Sequence, residues 1–346
     1  DVAAYVTPNS ALDGEAYKRG NSAYFPDRVV PMLPEALSNG LCSLRPDEDR
    51  ACVAADLWIG PDGNLRSFQF RRALMRSAAR LTYEEVQAAR DANQDPVAPG
   101  HLAHLYGAYK ALSEARRVRG ALDLELPERR IVLSDAGQVA DIVPVIRLDS
   151  HRLIEEFMIA ANVAAARELG KRGQPVMYRV HDEPSLEKLE GLREALSGFE
   201  INIARGGISR PGDFNGILYQ VRGEAHERTV NELILRAQMQ AAYSPDNLGH
   251  FGLGLRDYAH FTSPIRRYAD LLVHRALIRG LGLGDGGLED EQASQFEELG
   301  SHISNTERRA VVAERDANDR YTAAYLARHI GSNFTGTIRG VTRAGL

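Results

Sequence analysis

The run Thr262-Ser263-Pro264-Ile265-Arg266-Arg267-Tyr268 restricts the fold more than any other. A serine before a proline at the head of an apolar-periodic segment marks a helix start. The hydroxyl can accept a first-turn N–H, and proline at the first helical position surrenders a donor that the helix does not use. Ile265, Tyr268, Leu272 and Ala276 then recur at helical spacing and face a core, whereas Arg266, Asp270 and His274 fall four apart on another face. The spacing predicts a capped helix beginning at Ser263. Such an end offers free N–H groups and a partial positive charge, and two arginines in its first turn add forked donors. Together these suit a phosphate. The plainer reading is a surface helix whose arginines stand in water.

Size and composition narrow the class. The 346 residues suffice for one large domain or two ordinary ones, and 44% hydrophobic with 26% charged residues describes a soluble globular chain. No apolar run reaches the roughly 18 residues that span a bilayer, so no membrane role is expected. Nothing at the start reads as a secretory signal, and Cys42 and Cys52 are too few for a disulfide scaffold, which makes the cytoplasm the expected compartment. The net charge of −5 argues mildly against nucleic acid, yet charge is local: Arg66, Arg71, Arg72, Arg76 and Arg80 occur with no acid among them.

In order, Val2 to Val6 reads as a strand and 11–19 as a short helix. Pro26, Pro31 and Pro34 then forbid regular structure around Tyr24 and Phe25. Aromatics on such a segment either pack inward or form a stacking shelf for bases. Residues 51–73 look like a hairpin turning at Pro61-Asp62-Gly63, Thr82 caps a helix, and 100–118 is another. His101 and His104 lie on that helix, but no third metal ligand follows nearby, so they read as surface histidines. A second hairpin occupies 128–148, then come a helix to Gly170, a strand over 176–181, a helix over 185–196, a looser stretch over 206–216, a helix over 230–243, and one or two long helices over 292–330. The mixture of elements is α/β or α+β.

Read together, DVAAYVTPNSALDGEAYKRGNSAYFPDRVVPMLPEALSNGLCSLRP, RSAARLTYEEV, EEFMIAANVAAA, YRVHDEP and AAYSPDNLGHFGLGLRDYAHFTSPIRRYADLLVHR resemble, in content and order, the catalytic RNB domain of the ribonuclease II / ribonuclease R family of exoribonucleases. The resemblance runs nearly end to end and implies an RNB-type domain over 1–331, a mixed β-sheet surrounded by helices with an internal RNA channel. FTGTIRGVTRAGL looks like the first strand of the OB-type barrel that follows in relatives, placing its start over 332–346.

The implied activity is processive 3′-to-5′ hydrolysis of single-stranded RNA to nucleoside 5′-monophosphates by Mg²⁺-assisted attack of water, by a monomer acting on the RNA 3′ end. Arg266 matches the family arginine that grips the scissile region, with Ser263 and Arg267 beside it on the RNA. Tyr24 matches the tyrosine that stacks on the 3′-terminal base. Glu314 matches a glutamate near the 3′ nucleotides, though an ordinary helix-surface acid would look the same.

Two departures stand out. The family's metal-binding aspartates lie just upstream of the strand in which this chain begins, so no complete Mg²⁺ site is expected here, and both ends read as cut from a longer protein. Asp47, Glu48 and Asp49 after Pro46 read as a solvated loop. Leu124 stands where many relatives place a phenylalanine that stacks on RNA; it keeps apolar contact without the ring. An RNB-like module that holds RNA without cutting it is the competing reading. No glycine-rich phosphate loop or cofactor fingerprint supports a metabolic enzyme.

Overall fold

Three of the four strand ladders among the described residues join strands that directly follow one another, whereas the fourth pairs strands separated by three helices. The computed structural model describes residues 1–124, 126–204, 206–333 and 335. After a 3-10 turn, Val2–Ala4, come α1 (Ala11–Arg19), β1 (Ala23–Tyr24), β2 (Val29–Val30), β3 (Asp49–Ile59), β4 (Leu65–Arg76), α2 (Tyr83–Asp91), α3 (His101–Val118), β5 (Arg129–Leu133), β6 (Val139–Pro144) and α4 (Asp149–Lys171). Then follow β7 (Tyr178–Val180), α5 (Leu186–Ser197), α6 (Pro211–Gln220), α7 (Glu227–Ala237), β8 (Ala242–Ser244), α8 (Tyr268–Leu281), α9 (Asp290–Ser294) and α10 (Phe296–Leu326).

The α/β class holds, but the expected mixed sheet gives way to four two-stranded antiparallel ladders among the described residues: β1–β2, β3–β4, β5–β6 and β7–β8. Strands of two or three residues, as in β1, β2, β7 and β8, are too short to recruit further neighbours. Most of the expected barrel strand over 332–346 lies outside the described residues.

α8 is the axis of the core. Tyr268, Ala269, Leu271, Leu272, Val273, Ala276, Leu277 and Ile278 are all buried, packed with Ala164–Ala166 and Leu169 of α4. Each fully buried leucine contributes about 1.5–3 kcal/mol. The expected polar face is buried as well, because a helix enclosed on every side must bond its polar groups internally. His274 Nε2 donates to the Phe261 carbonyl at 2.8 Å. Arg275, fully buried, donates to Asp13 Oδ1 and the Val6 carbonyl at 2.8 and 2.7 Å. A second apolar cluster, including Leu196, Phe214, Val230 and Ile234, joins α5, α6 and α7.

Three further expectations are corrected. Residues 2–6 form a 3-10 turn rather than a strand, since Val2, Ala3 and Val6 are buried together and Tyr5 and Val6 donate to the Val2 carbonyl. A wholly buried apolar run carries no alternation to tell strand from helix. Within the looser stretch a helix begins, α6, with Pro211 at its head and Asp213 accepting the N–H groups of Ser209 and Arg210. α7 stops at Ala237, where Gln238 turns extended and its amide donates back to Ile234 O, freeing residues 242–244 for β8.

The basic run on β4 is not a bare positive track. Arg66 pairs with Asp62, Arg71 with Asp56, Arg72 with Asp1 and Arg76 with Asp49. Those acids lie on the facing strand, in the turn and at residue 1, where a linear reading of charge does not see them.

Candidate active site

The turn before α8 differs from the expected capped helix. The helix begins at Tyr268 with Arg267 as its N-cap, so Ser263 is not the cap and Pro264 is not in the first helical turn. Instead Ser263 O accepts the N–H groups of Arg266 and Arg267 at 3.2 and 3.1 Å. Asp270, fully buried in the first turn of α8, explains the displacement. It accepts Ser263 N–H at 2.7 Å and both Nε and Nη2 of Arg267 at 2.7 and 2.9 Å. One carboxylate thus meets three donors, more than a serine hydroxyl can satisfy. The helix-start N–H of Tyr268 is also engaged, donating to Gly20 O at 2.9 Å.

Arg267 consequently serves the turn. Burial pulls its pKa down, but the Asp270 carboxylate outweighs this and holds it above the usual arginine value. Arg266 is exposed, and its guanidinium makes no hydrogen bond or ion pair among the described residues. Its carbonyl accepts Ser22 N–H at 3.0 Å, and Asn21 bridges Arg267. The turn is thereby fastened to the strand that carries Tyr24.

Tyr24 ends β1 with its side chain 47% exposed by residue. Its N–H is held at 2.6 Å by Glu314 Oε1 from α10. Gly20 permits this approach: its φ is +72°, and a Cβ there would stand 2.0 Å from Thr306 Oγ1. A cleft of about 200 Å³ is lined by Tyr24, Arg266, Arg267, Glu314, Glu307 and Tyr243, among others. Arg266 and Tyr24 therefore line one cavity.

Below the cleft, Tyr243 is held in place. Its hydroxyl lies 2.9 Å from His260 Nδ1, its N–H donates to Ser304 Oγ at 2.9 Å, and the Arg179 guanidinium lies 4.6 Å from its ring centroid. Burial raises the Tyr243 pKa and pushes that of His260 well below the ordinary histidine value, so both stay neutral. Glu307, Arg179 and Tyr243 carried no local signal. Glu307 alone was within reach of pattern reading, since it precedes Glu314 by two helical turns and so shares its face.

Leu124 is not brought into this cleft. It lines a different one of about 840 Å³ with Leu126, Pro127 and Val145 and packs on the α5–α7 cluster. Among the described residues no group of three or more His, Cys, Asp or Glu is placed to hold a metal ion. Asp47, Glu48 and Asp49 follow no such geometry: Glu48 pairs with Arg50 and Asp49 with Arg76. The described residues by themselves therefore do not make up a Mg²⁺ site. His101 and His104 are exposed on α3. No helix among the described residues is long and apolar enough to cross a membrane.

Comparison with known proteins places the chain in a family. Ribonuclease R of Vibrio parahaemolyticus is 41% identical over 360 residues, a match that covers all of this chain and 43% of that protein. Ribonuclease R of Escherichia coli is 40% identical over 358 residues, covering all of this chain and 44% of that protein. The chain thus spans less than half the length of these relatives. The structure of Mycoplasma genitalium RNase R in complex with ribose-methylated single-stranded RNA superposes with a TM-score of 0.92 at 31% identity, over 99% of this chain and 55% of that one. With the RNB domain model matching residues 1–282, the chain belongs to the RNB domain family.

Proposed function

We propose that this chain is the catalytic-domain part of a 3′-to-5′ exoribonuclease that is processive on single-stranded RNA and releases nucleoside 5′-monophosphates. The observation that carries the reading is the placement of an unpaired guanidinium, Arg266, and a half-exposed ring, Tyr24, in the walls of one cleft. Arg266 donates to the oxygens of the terminal phosphodiester, where preset donors cost little reorganisation as charge develops. Tyr24 stacks on the terminal base, and stacking accepts any base, as a sequence-blind enzyme requires. Arg267 and Asp270 hold the turn, so that Arg266 is presented without a competing partner. Ser263 acts through its backbone in the same turn, and Glu314 acts by holding Tyr24. Leu124 offers an apolar contact in the neighbouring cleft, further from the 3′ end.

In this reading the protein is a monomer of the cytoplasm. Mg²⁺ supports the hydrolysis in the resemblance that motivates the proposal; no step is assigned to it through the residues described here.

The test is an end-labelled RNA oligonucleotide incubated with the full protein and Mg²⁺. Release of labelled mononucleotides from the 3′ end is the expected result. Intact RNA retained in a shifted band would replace the nuclease with a binding module.

A further inference from the structure

Two histidines serve one turn. His181 follows β7, and its Nε2 donates to the Met239 carbonyl at 2.8 Å, which leaves Nδ1 as an acceptor. That nitrogen takes the Gly252 N–H at 2.9 Å. His250 caps the same 3-10 turn, Phe251–Leu253. Its Nδ1 takes the Leu253 N–H at 3.3 Å, a donor shared with the His250 carbonyl at 3.2 Å. The ring centroids lie 5.1 Å apart. Burial is the main cause that lowers the pKa of both, to about 3 at His250, so both rings are unprotonated and free to accept. Gly252 admits His181 closely: a Cβ there would stand 3.1 Å from Nδ1.

This turn holds a stretch of chain that has no regular structure of its own. Residues 119–124, between α3 and β5, lie in no helix or strand. The Gly252 carbonyl accepts the Leu122 N–H at 2.8 Å, and the Leu253 carbonyl accepts Arg119 Nε at 2.9 Å. Gly254, at φ +61°, allows the approach, since a Cβ there would stand 3.2 Å from the Arg119 carbonyl. Asn215 of α6 grips the same stretch. Its Oδ1 accepts the Asp123 N–H and its Nδ2 donates to the Ala121 carbonyl, both at 2.9 Å. Leu124 comes next, at the cleft it lines with Leu126 and Val145. With no helix or strand to fix Leu124, these bonds set where it stands, and half of them run through a turn that two imidazoles hold.

We propose that His181 and His250 are positioning residues for RNA binding: through the Phe251–Leu253 turn they set Leu124 where it meets the RNA. Neither ring touches the RNA itself. This rests on the reading of Leu124 as an apolar contact to RNA away from the 3′ end. His181 is the stronger support of the two, because its bond is shorter and unshared.

The test is fluorescence anisotropy with the full protein, divalent cations chelated, and RNA oligonucleotides of one sequence shortened stepwise from the 5′ end. Leu124→Ala locates the contact. It is expected to weaken binding by about 5–20-fold for RNAs long enough to reach it, and to leave shorter ones unchanged. His181→Leu is expected to weaken the same lengths and only those. The double variant His181→Leu/Leu124→Ala should bind little worse than Leu124→Ala alone. His181→Asn, whose Oδ1 stands near the place of Nδ1, should recover most of the affinity, and His181→Gln, which replaces Nε2 instead, should not. Weakening at every length, additive losses in the double variant, or equal recovery by Asn and Gln would leave His181 a general support of the fold and overturn the proposal. No effect of Leu124→Ala at any length would overturn the Leu124 contact, and the proposal with it. If His181→Leu does not fold, Gly252→Ala presses on Nδ1 while keeping the ring, and its length dependence and double variant with Leu124→Ala are held to the same outcomes.

Discussion

The carboxylate of Glu314 accepts the backbone N–H of Tyr24 at 2.6 Å, joining residues 290 positions apart. Tyr24 sits on a ladder of two residue pairs, too small to fix its own position, so the helix supplies the anchor. Tyr24→Ala is expected to lengthen the limit product on single-stranded RNA while leaving bond cleavage intact, as read on a sequencing gel. Glu314→Ala should shift the limit product in the same direction, and the double variant should add little to Tyr24→Ala alone. Fully additive effects would show that Glu314 acts elsewhere.

The Arg266 guanidinium donates to nothing within the described residues, so its removal disturbs the fold little. Arg266→Ala is expected to lower kcat by about 100-fold while RNA affinity falls far less, because a preset donor at a reacting phosphate acts mainly in the transition state. Arg266→Lys should recover only part of the loss, since an ammonium lacks the planar fork. Equal losses in affinity and rate would reduce Arg266 to a grip on the strand.

Asp270 is fully buried and meets three donors. Asp270→Ala leaves the Arg267 charge, 18% exposed at the side chain, without its partner. The expected destabilisation is about 3–5 kcal/mol, measured as a fall in the urea midpoint. Asp270→Asn, which keeps an acceptor, should lose less. A midpoint within error of the wild type would remove Asp270 from its role as the organiser of the turn.

Acid should weaken the fold through its buried histidines. Burial is the main cause that lowers His250 to about 3 and His274 to about 4, from an ordinary 6.5, and neighbouring positive groups reinforce it at His250. Both rings are neutral in the native state, and His274 Nδ1 is buried with no partner to receive an added proton's bond. The unfolded chain takes up protons first, so stability is full above pH 6.5 and declines as pH falls toward 4 and 3. At pH 5 each histidine accounts for about 2 kcal/mol of loss. Urea unfolding at pH 7 and pH 5 measures it, and His250→Asn should flatten the dependence.

The parts of the fold legible in sequence were those with local causes. Thr82 and Glu85 form the reciprocal cap that their spacing announces, and Gly63 and Gly137 turn the two hairpins at positive φ. What sequence concealed was long-range. Asp270 displaced the start of α8 because its bonds reach back to Ser263, and nothing in S-P-I-R-R reveals that a buried acid seven residues on will take over the cap. The pairing of Arg266 with Tyr24 in one cleft was legible through resemblance to a family, whereas the Arg179–Glu307 clasp spans 128 residues and had no local mark. Leu124, expected at an RNA contact, lines a cleft that is not that of Tyr24 and packs on the α5–α7 cluster.

Ser22, bonded through its N–H to the Arg266 carbonyl, immediately precedes β1, which carries Tyr24. Tyr24 and Arg266 therefore move as one piece if they move at all. A strand lodged here would meet a gauge of constant span, so the leftover fragment should keep one length whatever the temperature, salt or sequence of the substrate.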